Sequence, residues 1–268
     1  MMYKLVSVNI TTYNRAHLLP RCLDSVLRQS YENMEIVIVD DCSGDNTTEV
    51  VDEYRQKDSR VKYIRHETNK RNAHARNTAL DNCTGHYVAF MDDDDEWIDK
   101  DKIKKQVEIF ENSNDEKLGI ICSSVRLFSN EQTYQDKKLQ KPKDLVSMIL
   151  KGNGYIYSPT VLTKREIIQK VGGFDTNLPR GIDSDFYRMC ILKFGYDVHF
   201  MEDVTTGIHE YGEDRITPQQ SASALAKTRY AHFYLLKKYL RYYLFSPKSL
   251  VLRTRNILKA QLQIMRLK

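Results

Sequence analysis

The 268 residues suffice for one large domain or two small ones around a sizeable core, and 41% hydrophobic with 29% charged content excludes a disordered or fibrous chain. No window reaches about 18 uninterrupted apolar residues, and the opening MMYKLVSVNITTYN has no apolar leader core, so neither a spanning helix nor a secretory signal is expected. The net charge of +5 hides a division: residues 215–268 hold 12 Lys or Arg and no Asp or Glu, leaving 29 basic and all 36 acidic side chains in residues 1–214.

The first 91 residues alternate strand and helix patterns. LVSVNI (5–10) is a β-branched apolar run ending at Thr11-Thr12-Tyr13-Asn14, and residues 17–29 space Leu19, Leu23, Val26 and Leu27 along one helix face. EIVIVD (35–40) is a second buried strand, followed by the turn DDCSGDN and a helix over TTEVVDEYRQ. VKYIRH, NAHARNTALDNC and HYVAFM read as strand, helix and strand. Continuous apolar strands between helices predict a mostly parallel, Rossmann-like α/β sheet covered on both faces.

Beyond residue 97 the pattern loosens. KDKIKKQVEIFEN is an amphipathic helix, and LGIICSSVRLF (118–128) is expected to be a strand pair. Residues 129–145 are polar and read as a long mobile loop. A strand, a short helix and a Gly-Gly turn follow, then a helix over residues 183–195 and two short strands, YDVHFME and TTGIHEY. Residues 219–245 and 249–268 read as two helices separated by Ser246-Pro247. Five scattered cysteines, an odd number without a C-x-x-C pair, fit reduced buried thiols in a cytoplasmic protein.

The stretch YVAFMDDDDEW (87–97) drives an apolar strand into five acids. Such charges must stay hydrated or find a cation. Ligands of open α/β sheets bind beyond the carboxyl ends of the strands, and the predicted strands end in Thr11-Thr12-Tyr13, Asp40-Asp41 and Asp92–Asp95. Acids there make a site for a hard divalent cation, with Asp92 and Asp94 converging while Asp93 faces elsewhere. A solvated acidic turn before a helix is the alternative. An EF-hand is excluded, because its required sixth-position Gly is Trp97.

The succession VSVNITTYNR, LDSVLRQSYENMEIVIVDDCSGDNT and NAHARNTALDNCTGHYVAFMDDDDEW resembles family 2 glycosyltransferases of the GT-A fold, densely over residues 4–100 and more weakly to about 215. The resemblance implies that Thr11 and Tyr13 line a nucleobase pocket and that Asp41 accepts a hydrogen bond from the base. It implies basic contacts to the nucleotide or diphosphate from Arg71 and Arg76; the alternative is a helix face paired with local acids. Asp92-Asp93-Asp94 matches the D-x-D motif, whose first acid holds the ribose and whose last binds Mn²⁺ or Mg²⁺. On the acceptor side, LPRGIDSDFYRM (178–189) resembles the motif that supplies the general base. Asp183 aligns best and Asp185 second, although Ile182 stands where the family more often has Glu; the alternative is that Asp183 only caps the helix. The family is inverting, which implies a single displacement.

His209, in GIHEYGEDRIT, is a candidate further metal or diphosphate contact or a structural residue, Arg215 a candidate phosphate contact, and Trp97 a packing residue or a sugar-stacking one. The basic, aromatic tail over 219–268 is suited to the anionic inner face of a membrane or to packing on the core. The expectation is a metal-dependent transferase moving a hexose from a UDP-sugar to a glycan or lipid-linked glycan. It would comprise a nucleotide-sugar half (1–97), an acceptor half (98–218) and the tail, in the cytoplasm or peripheral on the membrane's inner face. The alternative is a nucleotide-sugar-binding scaffold without turnover. Nucleic acid is not an expected partner, since the acidic body repels a polyanion.

Overall fold

A computed structural model describes residues 4–152, 156–210 and 221–266. In chain order the elements are β1 (Val6–Thr12), α1 (Leu19–Leu27), β2 (Met34–Asp40), α2 (Thr47–Lys57), β3 (Val61–Arg65), α3 (Asn72–Asn82), β4 (Tyr87–Asp92), β5 (Glu96–Trp97) and α4 (Lys102–Asn112). They continue with β6 (Leu118–Phe128), β7 (Tyr134–Lys137), α5 (Leu145–Lys151), β8 (Leu162–Lys164), α6 (Arg165–Val171), α7 (Ile182–Arg188), β9 (Asp197–His209), α8 (Ala222–Lys238), α9 (Leu240–Leu244) and α10 (Pro247–Arg266). A π-helical turn, Met189–Lys193, continues α7.

The chain divides into two compact units, one of Met1–Lys141, Ile156–Gly173 and Tyr196–Asp214, the other of Pro142–Tyr155, Phe174–Gly195 and Arg215–Lys268. The first carries the nine-stranded sheet, in the order β3-β2-β1-β4-β8-β6-β9-β5 with β7 paired to β6. β3, β2, β1 and β4 run parallel, as the apolar strands predict. β8 is antiparallel to both its neighbours, and β6 and β9 run parallel. Val6, Val8, Ile10, Ile36, Ile38 and Met91 form the centre of the core with Leu19 and Leu23 of α1 and Ile103 and Phe110 of α4. The chain steps from β1 outward to β2 and β3, then returns past β1 to β4. The crevice beyond β1 and β4 is therefore a topological switch point, where ligands of open sheets bind. The register sets Thr11 beside Asp92 on one flank and Thr12 beside Asp40 on the other.

Four expectations are corrected. LGIICSSVRLF is one strand, and so is 197–209. Their ladder jumps from the pair Ser123–Met201 to Ser124–Val204, so exposed Glu202 and Asp203 bulge out where the sequence suggested a break. The stretch 129–145 is not a loop throughout: Tyr134–Lys137 forms a hairpin with β6, closed by the Arg126–Asp136 ion pair at 2.7 Å. Its alternation is invisible because both faces of this edge strand are polar. The helix over 219–245 breaks at Tyr239; the separation before the last helix falls at Phe245-Ser246, and Pro247 opens α10, its missing N–H costing nothing at a first helical position.

Trp97 is 0% exposed, donates Nε1–H to Pro159 O at 2.8 Å and lies under Lys102 Nζ, 4.3 Å from its ring. It is a core residue. Burial draws the Lys102 ammonium down to about 7, with Gln106 Oε1 at 2.8 Å as its acceptor. Between that value and the unfolded value the unfolded chain binds the extra proton, so this group's contribution to stability rises with pH from about 7 to about 10.4. Urea unfolding followed by the emission of the single tryptophan is expected to show Lys102→Met leading at neutral pH and wild type gaining on it by about 3 kcal/mol between pH 7 and 10. An unchanging difference would contradict the buried ammonium.

Candidate functional site

The acids at the end of β4 alternate in and out. Asp92 and Asp94 have side chains 33% and 27% exposed, whereas Asp93 and Asp95 are buried. Two arginines hold the first three side chains. Arg76 of α3, itself 2% exposed, donates Nη2 to Asp92 Oδ1. Its main-chain carbonyl accepts from Asn9 of β1 at 3.0 Å. Arg15, from the loop after β1, donates Nη1 to Asp93 Oδ1 at 2.7 Å and to Asp94 Oδ2 at 3.1 Å. Arg21 of α1 donates to the Asp94 carbonyl.

Burial lifts the Asp93 carboxyl above the usual carboxylate range, outweighing the opposing pull of Arg15. Burial, reinforced by Asp94 and Asp92, lifts Asp95 much further, although its Oδ1 accepts the His209 amide at 3.1 Å. Glu96 is drawn below its ordinary value by His209, whose Nε2 lies 3.1 Å from Oε1.

Among the described residues no three His, Cys, Asp or Glu side chains are grouped to hold a metal ion. His209 stacks on Phe128, ring centroids 4.7 Å apart, and its Nε2 lies 3.1 Å from Glu96 Oε1. Two half-open carboxylates suit a hard cation that takes its remaining ligands from substrate phosphates and water. Asp94 Oδ1 makes no hydrogen bond among the described residues, which leaves it open for such a role.

The neighbouring loops are pinned in strained backbone. Among the described residues, the non-glycine positions with positive φ are Asn14, Cys42 and Arg71, directly after β1, after β2 and before α3. Arg71, at φ 74° and ψ 160°, occupies a region almost reserved for glycine. Asp41 holds it: Oδ2 accepts the Arg71 amide at 2.7 Å, and Oδ1 accepts the Lys70 amide and His66 Nδ1, both at 2.8 Å. Asn14 stitches the first two loops, its Oδ1 accepting from Gly44 N at 2.7 Å and its own amide donating to Ser43 Oγ at 2.9 Å. Thr11 Oγ1 donates to Asn72 Oδ1 at 3.2 Å. The Tyr13 ring is 46% exposed, and the Arg71 side chain is also exposed.

Thr11, Tyr13, Asp41, Arg71, Arg76 and Asp92–Asp94 therefore meet at one end of the first unit. The family pattern described as Glycosyl transferase family 2 matches residues 7–172, well over half the chain. The chain belongs to glycosyl transferase family 2. Its relatives include the candidate teichuronic acid biosynthesis glycosyltransferase TuaG of Bacillus subtilis (strain 168), 36% identical over 162 residues, 60% of this chain and 63% of TuaG. The chain thus spans less than two thirds of that relative's length. Among solved structures, Staphylococcus aureus TarS 1–349 in complex with UDP-GlcNAc superposes with a TM-score of 0.68 at 22% identity, covering 87% of this chain and 66% of that one. The mannosyltransferase PcManGT of Pyrobaculum calidifontis, in complex with GDP-Man and Mn²⁺, gives 0.64 at 20% identity over 96% and 75%. These two likenesses establish the GT-A fold for this family 2 chain.

The other two candidates belong to the second unit. Asp183 is half-buried in the first turn of α7, which opens after Gly181 at φ 73°. Asp185 is 1% exposed and walled in: Oδ2 accepts from Lys238 Nζ at 2.7 Å and Oδ1 from Tyr239 OH at 2.7 Å. Lys238 also reaches Asp175 Oδ2 at 2.6 Å, which accepts from Tyr234 OH at 2.9 Å. Arg215 lies outside the described residues.

Arg15, Arg21, Lys238 and Tyr239 escaped the sequence reading. The acid run demanded counter-charges, yet nothing local distinguished Arg15 from other arginines, and the partners of Asp185 lie 53 and 54 residues away.

Replacing Arg15 with Met strands Asp93 without its cation. At pH 7 the loss in urea unfolding is expected to be about 3–5 kcal/mol, shrinking as pH falls and Asp93 takes up a proton, with Asp93→Asn restoring most of it. A small, pH-independent loss would show that Arg15 does not hold the acid turn.

Proposed function

We propose that this family 2 chain transfers a hexose from a nucleotide sugar, specifically a UDP-sugar, to a glycan or lipid-linked glycan acceptor by a single inverting displacement. The observation that carries this reading is the alternation of open and buried acids over Asp92–Asp95 at the β1/β4 switch point, with half-open Asp92 pinned by Arg76 and half-open Asp94 by the Arg15 that also holds Asp93. Asp94 and Asp92 would hold Mn²⁺ or Mg²⁺. That ion, when bound, neutralises charge on the departing nucleoside diphosphate. TarS carrying UDP-GlcNAc and PcManGT carrying GDP-Man and Mn²⁺ support the donor class and the metal.

The chain's own residues divide the remaining work. The exposed Tyr13 ring stacks on the nucleobase, flanked by Thr11, while Asp41 accepts from the base and fixes the 66–71 backbone. Exposed Arg71 contacts the diphosphate, whereas buried Arg76 acts by orienting Asp92 toward the ribose and metal. His209 is a positioning residue for Asp95 and Glu96. Asp183 accepts the proton of the attacking hydroxyl. Asp185, with both oxygens engaged by Lys238 and Tyr239, orients the first turn of α7 and does not exchange protons with substrate.

A non-catalytic nucleotide-sugar binder is the rival, and two substitutions separate them. With UDP-, GDP- and dTDP-sugars tested by thermal shift with and without Mn²⁺, Asp94→Asn is expected to abolish the metal-dependent stabilisation. Asp183→Asn is expected to keep that shift and lower UDP release or transfer on the order of 10²–10⁴-fold. Donor binding without turnover in wild type supports the scaffold; undiminished turnover in Asp183→Asn removes this base from the mechanism.

A further inference from the structure

Helix α10 buries a cation and exposes an apolar stripe. Its inward side carries Arg253, which is buried and donates Nε to Tyr243 OH at 2.8 Å and Nη2 to Leu150 O at 3.1 Å, with Nη1 2.6 Å from His232 Nδ1. Ala260, also buried, follows on the same side. Leu250, Leu252, Ile257 and Ile264 are half-buried, but the outward side carries four more large apolar residues, Val251, Leu258, Leu262 and Met265, each more than half exposed. Their spacings of seven, four and three put them on one stripe. Arg255, Lys259 and Arg266 are exposed beside it.

The anomaly extends along the tail. Nine of the twelve exposed large hydrophobic residues described fall between Tyr230 and Met265, and Phe245, two residues before α10, is 92% exposed. Residues 221–266 contain ten Lys or Arg and no Asp or Glu. Exposed apolar surface on this scale marks an interaction site.

We infer that α10 docks on the surface of an anionic phospholipid bilayer, its Val251–Leu258–Leu262–Met265 stripe entering the acyl boundary and its flanking cations pairing with lipid phosphates. The charge pattern selects this occupant. A second copy of the same face would bring cation against cation, and a nucleic acid gives four aliphatic side chains nothing to enter. No described helix is long and apolar enough to cross a membrane. The 20 residues of α10, about 30 Å, therefore lie along the surface. This inference is independent of the transfer reaction, since it requires only the second unit's surface.

The test is co-sedimentation of the full chain with vesicles of phosphatidylglycerol and phosphatidylcholine, against phosphatidylcholine alone, at low and high salt. Wild type is expected to pellet with the anionic vesicles only and to be released by salt. Removing three exposed cations (Arg255→Gln, Lys259→Gln, Arg266→Gln) is expected to weaken binding on the order of a hundredfold, roughly fivefold per cation. A second variant, Leu258→Ser with Leu262→Ser and Met265→Ser, is expected to lose at least about tenfold. Because these side chains are exposed, both variants should keep the wild-type urea midpoint. Absence of wild-type binding, or wild-type binding by both variants, overturns the proposal. So does self-association that the serine variant abolishes without vesicle binding, which would give the face to a second copy; retention on nucleic acid but not on vesicles would give it to a polyanion.

Discussion

Four consecutive carboxylates at the end of a central strand are the constraint around which the first unit is arranged. Two unit charges 4 Å apart repel by about 4 kcal/mol at a partly screened protein surface. The chain meets this in three ways. The chain turns at Asp93-Asp94, where the Asp95 amide donates to the Asp92 carbonyl at 3.2 Å, so alternate acids end up half-open and sealed instead of side by side. Arg15 and Arg76 bring compensating cations from two different segments. Asp95, sealed against water, is pushed toward its neutral form. What remains at the surface is a pair of half-open carboxylates of fixed orientation, an arrangement suited to a cation that shares its coordination with a ligand.

The same arginines make the site a property of the sheet. Arg15 follows β1 and Arg76 lies on α3, so the acid turn is in place only when β1, β4 and α3 are assembled in register. Thr11 beside Asp92 is the key pair of that register. Around it, Asn14, Cys42 and Arg71 hold backbone conformations that cost of order 1–3 kcal/mol each. They persist because Asp41, Ser43 and Asn14 over-determine them with hydrogen bonds. Strain gathered at one end of a sheet, beside half-open acids, is the pattern of a ligand site prepared before the ligand arrives.

The second unit buries a few charged groups: Asp185 with Lys238 and Tyr239, and Arg253 with Tyr243 and a backbone carbonyl. A buried ion pair of this sort contributes little net stability but makes the loss of either partner costly. It therefore fixes how α7 meets α8 more than how tightly. These buried polar groups sit among apolar neighbours such as Leu150, Phe186 and Leu235, while the tail helices also leave aliphatic and aromatic side chains exposed beside their cations.

By itself the sequence determined the parallel β1–β4 core, the strand ends that carry chemistry, and the family, because those signals are local: apolar runs bounded by turns, and acids at their carboxyl ends. It also determined the charge division between body and tail. Tertiary structure alone decided which acids are open and which are sealed, since burial depends on partners far along the chain, such as Arg15 for Asp93 and the His209 amide for Asp95. It decided that Trp97 belongs to the core, that Glu202 and Asp203 bulge from a continuous strand, and that Asp185 is occupied by Lys238. It also decided which side of α10 faces water. Helical spacing marks the stripe that Leu258, Leu262 and Met265 share, but only packing reveals that the opposite side, with Arg253, is the one turned inward.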